Sequence, residues 1–355
     1  MKNLSKILYI SSLTLLLVSC GETTSSSTSG KDTTIDTPDV SSTDTEIQNN
    51  PIHVDTYVAD VSATLPILKS GKLQGEDVDY VVSSYPVIFS AMSSTDKTTD
   101  LSIYSNVAED FGKKYNTSGF PQAGLFIKSS LLENSDNNDN ILSFLKAFDE
   151  ATLDLVNGGQ KAVDYINAYD TDTAKQQQRF GYAAGVIKNV QKTNGLAFLS
   201  NEQNPTINEL KGFNDSLNIN IEEELVSNQY KANISEEVKA ADELNFNVVA
   251  PMGAPNAALA KFASSDKLTL TAPANVSASL VKGEADFIIF DSVNALKLSK
   301  QNNSNYKLVR MVTYGNLYIV ATGNDDNNEL DDSDNIVSYG EGLVPDIAFK
   351  ATYGE

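Results

Sequence analysis

The chain has 355 residues, with 26 lysines and arginines against 47 acidic residues and a formal charge of −21. That balance speaks against nucleic-acid binding, which draws on a basic surface, and its plain consequence is a soluble, non-sticking exterior. A hydrophobic fraction of 41% supports a globular core, and the length allows two domains, or two lobes around a cleft.

Residues 1–20 read as a targeting segment. Lys2 and Lys6 form a basic start, and the apolar run 7–18 is too short to span a bilayer comfortably. Leu17-Val18-Ser19-Cys20 ends it with small residues before a cysteine. This resembles the lipobox of bacterial lipoproteins. The resemblance implies cleavage before Cys20, acylation of its thiol and new amino group, and an anchor on the extracytoplasmic face of the cell membrane. The competing reading is an ordinary signal peptide with a chance cysteine. Cys20 is the only cysteine, so the chain holds neither an internal disulfide nor a thiolate metal site. Residues 21–50 are rich in Ser, Thr, Asp and Gly, have almost no large apolar side chains, and read as a flexible tether.

Folded sequence is expected from about residue 52. Alternation over 52–58 predicts a strand; 61–69 predicts a helix, with Gly71 after it. A strand over 79–83 feeds a helix that starts at Tyr85-Pro86 and runs through Met92, and 101–104 and 123–128 read as strands. Ile141, Leu142, Leu145, Phe148, Leu153 and Val156 recur at helical spacing over 139–157, which Asn157-Gly158-Gly159 ends. Helices are expected over 160–169, 174–189 and 207–217, and in part over the charged stretch 221–244. A strand at 246–250 ends in Pro251, and Gly253 and Pro255 open a helix continuing over 257–262. Strand 268–272, helix 276–281 closed by Gly283, and strand 287–290 follow. Strands at 307–313 and 317–321 flank Tyr314-Gly315-Asn316. An acidic loop, 324–334, precedes strand 336–339 and a last helix opened near Val344-Pro345. Strand–turn–helix units at this spacing build parallel sheets, with ligands beyond the carboxyl ends of the strands.

The two ends of this order echo each other. Val61-Ser62-Ala63-Thr64-Leu65, Gly71 and Asp79-Tyr80-Val81-Val82 match Val276-Ser277-Ala278-Ser279-Leu280, Gly283 and Asp286-Phe287-Ile288-Ile289, and Gly124-Leu125-Phe126-Ile127 matches Gly315-Asn316-Leu317-Tyr318-Ile319. One unit is contiguous. The other has its first strand and helix at 336–353 and the rest at 52–84, as in a circular permutation, which closely placed termini tolerate. A fragment of a tandem fusion is the alternative.

These motifs resemble the substrate-binding lipoproteins of ABC importers, in the group related to nitrate, sulfonate, taurine and thiamine-pyrimidine-precursor binders. The residues carrying the resemblance are Gly253-Ala254-Pro255 with Ala258-Leu259-Ala260, Val281-Lys282-Gly283-Glu284-Ala285-Asp286, Gly315 to Val320, and in the other half Gly71, Asp79 to Val82, Tyr85-Pro86 and Gln122 to Phe126. The resemblance implies a two-lobed α/β fold of the type II periplasmic-binding-protein kind, in permuted order, each lobe a mainly parallel sheet flanked by helices. Lobe II is expected to comprise 51–128 with 331–355, and lobe I 129–330. It further implies a monomer that captures a sulfonate-, taurine- or pyrimidine-like solute and hands it to a membrane permease. A sensory or adhesive lipoprotein keeping the fold without transport is the alternative.

The expected site follows from topology. Strand-end turns that open helices present free N–H groups and partial positive charge, enough to hold a polar or anionic solute without basic side chains. The candidates in one lobe are Met252, Gly253, Ala254, Pro255, Asn256, Asn275, Val276, Asp291, Ser292, Tyr314 and Asn316. Those in the other are Ser83, Ser84, Tyr85, Tyr339, Glu341 and Gly342. Each has a turn or packing role as its competing explanation. Tyr85, Tyr314 and Tyr339 are suited to stacking on a planar solute, and Glu341 hints at an amine-bearing one or points to water. No catalytic set is expected: His53 is the only histidine, so no Ser–His–Asp, Cys–His or His-rich metal arrangement can be built. No phosphate loop, and no cofactor, is expected.

Overall fold

The computed structural model describes residues 51–117, 119–190, 197–198, 213, 225–227, 233–301, 306–325 and 329–354. The targeting segment with Cys20, the tether and the helix expected at 207–217, Phe213 apart, lie outside these, as does most of 221–232.

In chain order the elements begin with β1 (Thr56–Val58) and a 3-10 turn, Val61–Ala63, capped by the Asp60 carboxylate, which runs into α1 (Thr64–Ser70). A small hairpin, β2 (Lys72–Leu73) and β3 (Glu76–Asp77), leads to β4 (Tyr80–Ser83) and α2 (Tyr85–Met92). Then come β5 (Ser102–Asn106), α3 (Val107–Tyr115) and β6 (Pro121–Lys128). Five helices follow: α4 (Ser129–Leu132), α5 (Asn138–Val156), α6 (Gln160–Tyr169), α7 (Thr173–Phe180) and α8 (Ala184–Val190). Strand β7 (Val248–Pro251) opens a 3-10 helix, Ala254–Phe262, and β8 (Leu268–Thr271) opens α9 (Pro273–Lys282). The chain continues with β9 (Phe287–Asp291), α10 (Ser292–Gln301), β10 (Tyr306–Tyr314), β11 (Tyr318–Ala321), β12 (Ile336–Tyr339) and α11 (Val344–Tyr353).

Two five-stranded sheets carry the fold, one in the order β1-β12-β4-β11-β5 and one in the order β8-β7-β9-β6-β10. Read side by side, the two orders also agree in strand sense. In each, the first two pairings are parallel and the last two antiparallel. The sheets are therefore mixed, not mainly parallel as the resemblance implied. The reason is the path between them. Strand β10 ends at Tyr314, the chain crosses to the other sheet, and β11 starts beside the end of β4, with Tyr318 opposite Ser83. A strand that starts where its neighbour finishes must run against it. Strand β6 enters the second sheet the same way, with Ala123 opposite Asp291 at the end of β9. These exchanges also correct the expected lobe boundaries, because 121–128 belongs with β7–β10 and 318–321 with β1, β4, β5 and β12.

The duplication extends to side chains. Asp79, ahead of β4, accepts the Asn335 N–H (2.8 Å), and its own N–H donates to the Asn335 carbonyl (3.0 Å). Asp286, ahead of β9, does the same with Asn247, at 2.9 and 2.8 Å. Helices α1 and α9 both end on a glycine in the left-handed region, Gly71 and Gly283, a conformation costly for any residue with a Cβ. The Ile52 N–H donates to the Tyr353 carbonyl at 2.9 Å, so 52 and 353 are neighbours in space.

Each sheet has an apolar layer. Leu125, Phe144, Phe148, Phe246, Phe262 and Phe287 pack on one face of the second sheet, and Tyr80, Phe111, Phe120, Ile319 and Phe349 on one face of the first. The second sheet's helical layer is braced by Arg310 of β10, 2% exposed, whose guanidinium donates two bonds to Asp149 of α5 (2.8 and 3.0 Å). Among the described residues no helix is long and apolar enough to cross a membrane.

Candidate functional site

Between the carboxyl ends of the strands of the two sheets lies a cavity of about 130 Å³. The second sheet contributes Pro251 to Pro255, Pro273, Phe290, Asp291 and Thr313; the first contributes Val61, Ser84, Tyr339, Leu343 and Pro345; and Gln122, Ala123 and Asn316 come from the places where the chain changes sheets. Its size is close to that of cavities known to hold one six-membered ring. The wall is mostly apolar, with a few polar groups, the usual make-up of a small-molecule site.

Of the residues expected from the sequence, Met252, Gly253, Ala254, Pro255, Ser84, Asp291, Asn316 and Tyr339 meet at this cavity. The others do not line it. Ser83 is fully buried and shares a hydrogen bond with Thr64 (2.7 Å). Tyr85 rests its ring against Tyr318, with 5.4 Å between centroids. Asn256 is fully buried and acts as an internal clamp: its amide donates to the carbonyls of Phe180 (2.9 Å) and Pro251 (3.0 Å), and its oxygen accepts from the Tyr182 hydroxyl (2.7 Å). Asn275 is exposed and donates to Thr271. Val276 is core, and the buried Ser292 hydroxyl donates to the Pro121 carbonyl. Tyr314 reaches back to the Gly119 carbonyl (3.4 Å), and Glu341 is exposed. Apart from Glu341, each of these side chains satisfies a local need of the fold that periodicity does not reveal.

The larger correction concerns the backbone amides. The sequence leads one to expect free N–H groups at the helix starts, but the fold has filled several of them. The Tyr85 N–H, first of α2, donates to the Asn316 side-chain oxygen (3.1 Å). The N–H groups of Met252 and Gly253 donate to Thr271 and Phe180 carbonyls (2.9 and 2.8 Å). That of Gly342 donates to Asp346 (2.7 Å). Asp291 takes two at once: one carboxylate oxygen accepts from Asn294 at the start of α10 (2.9 Å), the other from Val344 at the start of α11 in the opposite half (2.6 Å). The Asn294 amide then donates to the Gly342 carbonyl (3.0 Å). Asp291 and Asn294 thus clasp one half to the other. Burial pushes the Asp291 carboxyl above the usual carboxylate range, against the pull of these donors.

What remains open at the cavity is a short set of polar groups. The Thr313 hydroxyl is buried with no partner. The Ser84 hydroxyl makes no cap bond. The Tyr339 hydroxyl, the Asn316 amide nitrogen and the Ala254 N–H have no partner among the described residues. Burial, with the Asp291 charge behind it, holds the Tyr339 phenol well above its ordinary value, so it stays protonated and able to donate. No lysine, arginine or histidine is in the described lining, and among the described residues no cluster of His, Cys, Asp or Glu is disposed to hold a metal ion.

Thr313 and Gln122 are the polar lining residues that sequence reasoning missed, along with apolar ones such as Phe290 and Leu343. The strand 307–313 was legible, but which of its side chains faces the gap depends on irregular pairing with β6, whose register shifts between Met311 and Thr313 and again before Tyr314. Gln122 matters because its side-chain oxygen accepts the Asn316 N–H (3.1 Å), tying the two crossing segments together. Gly315 makes that crossing possible, with φ of 72° and a hypothetical Cβ only 2.4 Å from that of Ala108.

The fold and cavity define an α/β protein with two mixed, duplicated sheets and a partly open cleft between them. Compared with protein-family models, curated proteins and solved structures, the chain matches none of them.

Proposed function

We propose that this chain is the solute-capturing lipoprotein of an ABC importer, built on a two-lobed type II binding-protein plan in circularly permuted order. The observation that carries the reading is the cavity. Open polar groups from both sheets converge on one ring-sized space, and they leave hydrogen-bonding capacity that the fold itself does not use. The permuted order is supported by the pairing of β12 between β1 and β4, the place that β7 takes between β8 and β9. The lipobox at Cys20 and the polar stretch after it fit an anchor facing a membrane permease. Closure would bring the two halves onto the solute, and the Asp291–Val344 and Asn294–Gly342 bonds are among the contacts that would hold them together.

Thermal unfolding of the purified full chain against sulfonates, pyrimidines and amines tests the binding reading. A ligand taken only by the folded state raises the midpoint, by about 2.7 kcal/mol of stabilisation at one hundred times its Kd. Failure of every compound to shift the midpoint or to bind by calorimetry would count against it. Mass analysis of the membrane-extracted protein tests the anchor: an acylated Cys20 at the mature N-terminus is expected, and Cys20→Ala should release the protein from membranes.

A further inference from the structure

We infer that the cavity selects an uncharged, single-ring solute, with Thr313 as its hidden hydrogen-bonding anchor and Asp291 as the filter that turns anions away. The inference rests on the solute-binding reading and narrows it to one class of ligand.

Three observations carry it. First, much of the usual means of holding an anion without basic side chains is already spent. The helix-start amides of Tyr85, Asn294, Val344 and Gly342 donate to Asn316, Asp291 and Asp346, and of the amides in the second sheet's turn only that of Ala254 stays open. Second, the wall carries a carboxylate and no cationic side chain among the described residues, so a bound sulfonate would face like charge at short range, offset only by Lys297 behind the wall and by the donors already on Asp291. Both Asp291 oxygens are engaged by backbone amides, so the group serves the clasp and is not laid out as the counter-ion of a cation. Third, the open groups suit a neutral ring edge. Thr313 and Ser84 offer hydroxyls that donate or accept, Tyr339 and the Asn316 amide donate, and Phe290, Pro251, Pro255 and Leu343 supply apolar faces. Thr313 stands out because its side chain is 1% exposed and its hydroxyl unpartnered. Such a group destabilises the empty protein and is satisfied when a ligand reaches it.

This gives a test with two readouts of opposite sign. The probes are benzamide and uracil, their anionic counterparts benzoate and orotate, and cationic benzamidine, measured by calorimetry and thermal shift on the full chain. The neutral probes are expected to bind at least about tenfold more tightly than the charged ones. Thr313→Val keeps the shape and removes the hydroxyl. It should raise the ligand-free midpoint and weaken neutral-probe binding about tenfold, the loss typical of one buried hydrogen bond, whereas a purely structural threonine would not move binding. Thr313→Ser should bind as the parent does, and Thr313→Ala, which also lacks the hydroxyl, gives the deciding readout if the valine variant fails to fold. Asp291→Asn should bring benzoate binding closer to that of benzamide. Tighter binding of benzoate, orotate or benzamidine, or unchanged neutral-probe affinity in Thr313→Val, overturns the inference while leaving solute binding intact. Binding of none of the five overturns the inference, and the solute-binding reading falls with it only if the sulfonates and amines fail as well.

Discussion

The two turns that face each other across the cavity do the same topological job and are held in different ways. After β7, the turn at Met252–Ala254 is fastened from within its own half: main-chain carbonyls of Thr271 and Phe180 take its amides, and the buried Asn256 ties Phe180 to Pro251. After β12, the turn at Gly340–Val344 is fastened partly from the other half, through Asp291 and Asn294. The first turn is a fixed wall. The second is a wall whose position depends on the halves being together, so a solute that favours the closed form acts through it.

The largest break in this comparison is expected at the fixed wall. Asn256→Ala removes the side-chain donor to the Pro251 carbonyl, one of the two donors to the Phe180 carbonyl, and the acceptor of the buried Tyr182 hydroxyl, which should cost about 2 kcal/mol. Denaturant unfolding checks this, and a loss below about 1 kcal/mol would mean that the clamp is not needed. A smaller and more local effect is expected at the hinged wall. Asp291→Asn keeps one acceptor of the pair, so hydrogen exchange at Val344 should quicken roughly tenfold, the equivalent of one modest hydrogen bond. Exchange at Gly253 should not change. Equal acceleration at both amides would erase the distinction between the turns.

The smallest effect lies in the approach to the two strands. Asn247 and Asn335 enter β7 and β12 through matching bonds to Asp286 and Asp79, but the approach to β7 includes Lys239, whereas the acidic approach to β12, 324–334, holds no basic residue. There burial, with the charges of Asp325, Asp331 and Asp79 adding to it, pushes the Asp334 carboxyl up to about 6 from its ordinary 3.8. The folded state therefore holds a proton that the unfolded chain has released between about pH 4 and 6. The destabilisation from this group grows as pH rises through that window and is constant above it. Asp334→Asn should raise the unfolding midpoint at pH 7.5 and leave it unchanged near pH 4. A gain of equal size at both pH values would sink this account.

Much of the repeat could be read directly from the chain. The span of α2 from Tyr85 to Met92 and that of β12 from Ile336 to Tyr339 coincide with expectation because each is a short apolar run bounded by strong local signals. Helix α3 escaped notice, since Val107, Ala108, Phe111 and Gly112 face inward over too few turns to make a clear stripe. The 3-10 winding of Ala254–Phe262 was not legible either, because it depends on packing against α5 and α6.

The pattern of apolar runs, glycines and prolines by itself determined where the strands and most helices lie and that two stretches share one plan, because those features act over a few residues. Only the tertiary structure decided which strands pair, that each sheet takes one strand from the other half, and that several helix-start amides at the gap are already occupied. Hydrogen-bond partners such as Asp291 with Val344, or Gln122 with Asn316, are far apart along the chain, and nothing local records whether a donor will meet a protein acceptor or be left for a ligand.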